Sequence, residues 1–175
     1  MSTADLPYSH KVPVATLHGE TRLRLEPDAE ARARIASALD LDGVEKLVLD
    51  AKVNHAQNGL VSVNADLKAT VRPVCVVSLE PFEQVIDTPV SLRLAPQALA
   101  ERMAKRAAEN GDEDFEGPDL IEEGEIDFGQ LTVEFLALSL DPYPRKPGAV
   151  FSGAGDPPEE KRSPFAALAA LKDKM

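Results

Sequence analysis

The stretch from residue 46 to 71 constrains this chain more than any other. Leu47, Leu49, Ala51 and Val53 alternate with mostly polar residues. Val61, Val63, Ala65, Leu67, Ala69 and Val71 then alternate with Ser62, Asn64, Asp66, Lys68 and Thr70. A period of two means extended backbone with one face buried and the other in water. Asn58-Gly59 lies between the two runs, a pair that favours tight hairpin turns, so the stretch predicts an antiparallel hairpin. Residues 82–94 predict a further strand with Ile86, Val90, Leu92 and Leu94 on one side. Pro89 has no N–H for a ladder, which places that strand at an edge or breaks it.

Around this sheet signal lie helical ones. Residues 8–18 read as a first strand or extended arm. Residues 27–40 read as a helix: Pro27 suits a first helical position, Asp28 and Glu30 suit the positive end, and Ala31, Ile35 and Leu39 recur at helical spacing. Residues 97–109 predict a short charged helix. Residues 128–140 predict a helix buried nearly all round, with Phe128, Leu131, Phe135 and Leu138 on one face and Val133, Leu136 and Leu140 covering the rest. Asp127 and Gln130 fit its cap and the reciprocal partner three residues on. Hydrophobic residues make up 43% of the chain, but aromatics only 5% and Trp is absent, so the core must be Leu, Val, Ile and Ala. Together these elements predict an α+β fold: a curved antiparallel sheet of roughly four to six strands with a few packing helices. Residues 1–144 form one domain in this reading. Residues 145–175 form a Pro-rich linker and a C-terminal helix, which Ser163-Pro164 opens.

The charge is uneven. Of the 30 acidic residues, eleven fall in residues 111–141, a stretch without Lys or Arg. The other 19 acids balance the 19 bases, so the net charge of −11 belongs to that one stretch. Its first part, about residues 110–119, predicts a mobile acidic loop. Phosphate contacts need clustered Lys and Arg, so the balance argues against a primary nucleic-acid binder and permits a basic partner. Arg22, Arg24, Arg32 and Arg34 are the one basic cluster, either a solvated helix face or a minor RNA contact.

Catalytic chemistry is poorly supplied. His10, His18 and His55 are scattered without metal-ligand spacing, and there is no Gly-rich phosphate loop. Cys75 and Ser78 have the spacing of a Cys-x-x-Cys pair with the second thiol missing. One thiolate cannot hold a tetrahedral metal alone, so Cys75 reads as a small buried residue at a strand corner. The acids of 111–141 lack the alternation of a calcium loop. No catalytic residue, cofactor or metal is expected. The apolar runs fall far short of the roughly 20 residues that span a bilayer. The start has no basic region followed by an apolar stretch. A cytoplasmic protein without a membrane partner is the expectation.

Three segments together resemble the YceD family, the large ribosomal RNA subunit accumulation proteins. Leu67-Lys-Ala-Thr-Val-Arg-Pro-Val-Cys-Val-Val-Ser-Leu-Glu-Pro-Phe82 is similar to the family's strand, Cys-x-x-Cys and Leu-Glu-Pro corner. Gly124-Glu-Ile-Asp-Phe-Gly-Gln-Leu131, with Glu134 and Leu138-Ser-Leu-Asp-Pro-Tyr-Pro144, resembles its helix block. Ser163-Pro-Phe-Ala-Ala-Leu-Ala-Ala-Leu-Lys172 resembles its closing segment. Order and spacing agree over roughly residues 45–172. The chain departs at Ser78, where many members carry a second cysteine. The run Asp-Pro-Tyr-Pro-Arg-Lys-Pro-Gly148 resembles a bacterial subgroup.

The resemblance implies a non-catalytic part in synthesis, processing or accumulation of 23S ribosomal RNA. It implies interaction positions at Cys75, Glu80 and Pro81 on the corner, Asp127 and Glu134 on the helix, and Pro164, Phe165, Leu168 and Leu171 at the tail. With the acidic balance, a basic ribosomal protein or pre-ribosomal particle is the expected partner, and contact with the RNA is indirect. The alternatives are a direct RNA binder using the Arg cluster and a metal-dependent nuclease using the acidic stretch.

Overall fold

A computed structural model of the protein describes residues 6–150. The alternating runs form two long strands, β3 (Gly43–His55) and β4 (Val61–Arg72), paired antiparallel from Gly43↔Arg72 to His55↔Val61 with a bulge between Val44 and Lys46. The turn is a three-residue loop rather than the two-residue turn that Asn58-Gly59 suggests. Gly59 N–H donates to the Ala56 carbonyl, Ala56 N–H donates to Leu60, and Gly59 takes φ +90°. This is a type I turn closed by a glycine in a left-handed conformation. The Asn58 side chain accepts from Leu60 N–H at 3.1 Å and stiffens it.

β5 (Gln84–Ala95) pairs antiparallel with β4 from Gln84↔Val71 to Leu94↔Val61. β2 (Gly19–Leu25) flanks β3 on the other side. Residues 19–25 carry only a weak apolar alternation because β2 is an edge strand with most side chains in water, so periodicity did not reveal it. β6 (Asp119–Leu120) adds to β5 in parallel through two residue pairs and completes a sheet of order β2-β3-β4-β5-β6. The sheet is mostly antiparallel, and the fold is α+β. Pro89 sits opposite Asp66 where β5 has no other neighbour, the edge position its missing N–H requires.

The expected strand in 8–18 shrinks to β1 (Lys11–Pro13), followed by a 3-10 turn. It pairs with β7 (Glu125–Asp127) in a separate two-stranded sheet, not with the main one. Helix α1 (Ala29–Ala38) starts later than the sequence pattern suggests. Asp28 is its cap, accepting from Ala31 N–H at 2.8 Å, and Pro27 precedes it. Helix α2 (Gln97–Glu109) spans the predicted residues. The acidic stretch after it is anchored in its second half: Arg93 donates to the Glu116 carbonyl at 2.9 Å and Pro118 is buried.

Helix α3 (Phe128–Ser139) is buried along one stripe, not nearly all round as its apolar pattern suggests. Phe128, Thr132, Val133 and Leu136 are buried, Leu131 and Phe135 half-buried, and Leu138 is 79% exposed. The helix packs against β4 and β5 on one side only, so only a stripe is covered, however apolar the rest. Thr132 is satisfied by donating to the Phe128 carbonyl at 2.7 Å. At Gly129 a Cβ would lie 2.5 Å from His10 N, so only glycine lets the N-terminal arm cross the first turn of α3. The anticipated C-terminal helix lies outside the described residues, as do Pro164, Phe165, Leu168 and Leu171.

The core is one cluster: the inward side chains of β3, β4 and β5 with Leu25, Ile35, Ile126, Phe128, Val133 and Leu136. Phe128 is its largest fully buried member. Phe128→Ala should cost about 3–5 kcal/mol in denaturant melts, the usual range for a buried Phe. Phe135→Ala should cost clearly less. Equal losses would mean that α3 is enclosed after all.

Candidate functional site

The candidate residues fall into two places at opposite ends of β5. The first is the tip of the β4–β5 hairpin. Residues 73–82 extend the ladder, with Phe82 N–H donating to the Pro73 carbonyl, Cys75 N–H to Glu80, and a bridge between Val74 and Pro81. Leu79 N–H folds back onto the Cys75 carbonyl, closing a tight loop in which Leu79 takes φ +58°. For a leucine that left-handed conformation is costly, and the loop tolerates it with the side chain 77% exposed.

Inside this loop the Cys75 sulfur accepts two backbone N–H groups, from Val77 and Ser78, each at 3.4 Å. Cys75 has no solvent-exposed surface but stands apart from the main apolar cluster. It is buried at the strand corner, with its sulfur held by the amides of its own loop. A hydrogen bond from the Ser78 side chain, with the surrounding amides, lowers its thiol pKa from the usual value to about 6. Ser78, standing where a second thiol would stand, serves the first thiol as a donor.

The segment after α3 closes over the loop. Val76 N–H donates to the Pro144 carbonyl at 2.9 Å, and Lys146 Nζ donates to Glu80 Oε2 at 2.8 Å. The Lys146 hydrogen bond and charge lower the Glu80 pKa. Glu80 is thus exposed but paired, and Pro81 is exposed. Val74, Val76, Leu79, Val85 and Tyr143 leave an apolar surface around the tip.

The second place is a cleft of about 330 Å³ between α3 and the β6–β7 turn. Leu94, Leu120, Ile126 and Leu131 line it, together with Asp119, Glu122, Glu123, Glu125, Asp127 and Glu134. One lysine, Lys11, faces these six carboxylates, and it reaches Glu125 at 3.8 Å. Asp127 and Glu134 meet here, but they do different work. Asp127 Oδ1 accepts from Gln130 N–H at 3.0 Å and His10 N–H at 2.8 Å, and Oδ2 accepts from the Ser9 hydroxyl at 2.6 Å. It caps α3 and ties down the N-terminal arm. Burial raises its pKa, but the hydrogen bonds from Ser9, His10 and Gln130 outweigh that, and the net shift is downward. The Gln130 side chain does not reciprocate in the cap; it donates to Glu134 Oε1 at 2.8 Å. Glu134 stands exposed on the rim.

The four arginines do not form a free basic patch. Arg24 meets Asp50 at 3.1 Å and Arg34 meets Glu30 at 2.9 Å. Arg32 donates to the Pro27 carbonyl, and Arg22 lies 4.0 Å from Glu20. Among the described residues no three His, Cys, Asp or Glu side chains converge as a metal ion would require. No helix of the described residues is long and apolar enough to cross a membrane.

The site residues that sequence reasoning missed are those whose contacts are distant along the chain. Lys11 carried no local signal, Leu94 was legible only as a strand position, and Tyr143 and Lys146 only as members of family-like runs. Glu122 and Glu123 were visible only as charge.

The described residues form a small α+β fold with an acidic cleft and a hairpin tip closed by an ion pair. Residues 63–172 match the family described as Large ribosomal RNA subunit accumulation protein YceD, and the chain belongs to that family. No curated protein and no solved structure matches it. The family is named for accumulation of the large ribosomal RNA subunit rather than for an enzymatic activity, and this chain's role lies in that process.

Two tests follow from the geometry. Because the folded pKa of Asp127 lies below the unfolded one, its contribution to stability is complete above about pH 4. That contribution is lost as pH falls through the lowered folded value. Asp127→Ala should cost about 1–2 kcal/mol at neutral pH, as for other caps, and should flatten the acid limb of the pH–stability curve. An unchanged acid limb would contradict the assignment. At the tip, thiolate absorbance of the native chain should titrate near pH 6, and Ser78→Ala should move the midpoint upward. An unmoved midpoint would remove Ser78 from the account.

Proposed function

We propose that the protein is a non-catalytic ribosome biogenesis factor that supports 23S rRNA and large-subunit accumulation by binding a basic ribosomal protein, alone or in a pre-ribosomal particle. One observation carries this reading: exposed carboxylates gather around a cleft with an apolar lining, while Arg24, Arg32 and Arg34 are engaged with carboxylates and a carbonyl. Such a surface repels phosphate and attracts a cationic protein. Contact with the RNA is then indirect, since Arg24 and Arg34, two of the four arginines a direct binder would use, are paired with carboxylates. A further contact through Pro164, Phe165, Leu168 and Leu171 rests on sequence alone, as apolar anchors spaced for a groove. The action belongs to the cytoplasm, where ribosomes are built.

The test is affinity capture from growing cells with and without ribonuclease. Basic ribosomal proteins of the large subunit should stay bound after the RNA is digested and should leave as salt rises. Capture that disappears with ribonuclease would favour direct RNA binding instead.

A further inference from the structure

We infer that the cleft between α3 and the β6–β7 turn seats an extended segment of the protein partner in which Lys or Arg side chains alternate with apolar ones. This rests on the reading that the partner is a basic protein, and it adds where the partner is held and in what form.

Charge complementarity commits the cleft to a cationic occupant. Among the described residues, no Lys or Arg forms an ion pair with Asp119, Glu122, Glu123 or Glu134, and Lys11, the one base lining the cleft, is spent on Glu125. In the turn that carries Glu122 and Glu123, Glu123 takes φ +51° and Gly124 takes φ +73°. Two successive left-handed residues reverse the chain within Glu122–Glu125, whose ends form a bridge, and hold Glu122 and Glu123 out at the mouth.

Charge alone would suit any polycation. The lining narrows the choice. Leu120 is a large apolar side chain left 53% exposed among carboxylates, and Leu94, Ile126 and Leu131 lie beside it. Exposed apolar surface ringed by polar groups marks contact sites. The occupant therefore brings apolar side chains for this lining and cations for the rim.

Size and topology narrow it again. A volume of about 330 Å³ takes a few side chains, not a folded domain or a duplex. Leu120 lies on β6, the outermost strand of the sheet, whose far side pairs with no strand among the described residues. An extended segment can lie along such an edge, and its side chains then alternate between cleft and solvent.

The experiment uses the full chain and three labelled synthetic peptides: arginine alternating with valine, arginine alternating with serine, and glutamate alternating with valine. The arginine–valine peptide should bind about tenfold tighter than arginine–serine, and glutamate–valine should not bind. The cleft variant E122Q/E123Q/E134Q should weaken the arginine–valine peptide by about tenfold, a difference of about 1.4 kcal/mol, and flatten its salt dependence. The loop variant D112N/E113Q/D114N removes as much charge and should leave binding within about twofold. L120S should abolish the preference for valine over serine. All substituted side chains are exposed, so the variants should fold. Equal weakening by the cleft and loop variants, or no preference for valine, would overturn the inference. Ribonuclease-resistant capture of basic proteins that persists in the cleft variant would sink the cleft and spare the partner reading. Loss of that capture in the parent chain would sink both.

Discussion

The buried face of β4 is the constraint on which the rest of the structure depends. Val61, Val63, Ala65, Leu67, Ala69 and Val71 are all buried, while their alternate neighbours on the strand face outward. A central strand with one apolar face needs partners on both sides and a cover above. β3 and β5 supply the first, in ladders nearly as long as the strand itself. α1, α3 and Ile126 supply the second with Ile35, Phe128, Val133 and Leu136. A one-residue slip of register would turn every one of these side chains into water, which is why the meander is so strongly specified.

The length of β5 then separates the two candidate surfaces. Its first residues leave the hairpin tip where Cys75, Ser78, Glu80 and Lys146 meet, and its last residues reach the acidic cleft beside Leu94. A strand of twelve residues spans roughly 40 Å, so a partner touching both surfaces has to be extended or large. Asp127 links the cleft to the fold. Its carboxylate closes the first turn of α3 and pins the arm at Ser9 and His10, so one wall of the cleft is tied to the strength of a helix cap.

Much of the fold was legible because period two and period 3.6 are local signals. The hairpin, β5 with its edge proline, α2 and the Asp127 cap could be read from neighbouring residues alone. β2 could not, because an edge strand with Glu20, Arg22 and Arg24 in solvent carries little apolar contrast. The burial of α3 was misjudged for a related reason. Leu138 and Phe135 are as apolar as Leu136, and nothing local says which side of the helix faces the sheet. The arginines looked like a patch because they are close in sequence, but Asp50 reaches Arg24 only across the β2–β3 ladder.

The site divides in the same way. The sequence by itself determined the charge and the Asp127 cap, since these depend on residue types and short spacings, while the corner around Cys75 and the positions Glu80 and Glu134 came from the family resemblance. Only the tertiary structure decided that Asp127 also pins the arm at Ser9 and His10 while Glu134 stays on a rim, that Lys146 closes on Glu80 from 66 residues away, and that the acids of the β6–β7 turn face Leu94 and Leu131 across a cleft. The physical reason is that charge and propensity belong to a residue. Whether a carboxylate is spent on the fold or left free for a partner depends on which distant backbone and side-chain donors the sheet brings within about 3 Å of it.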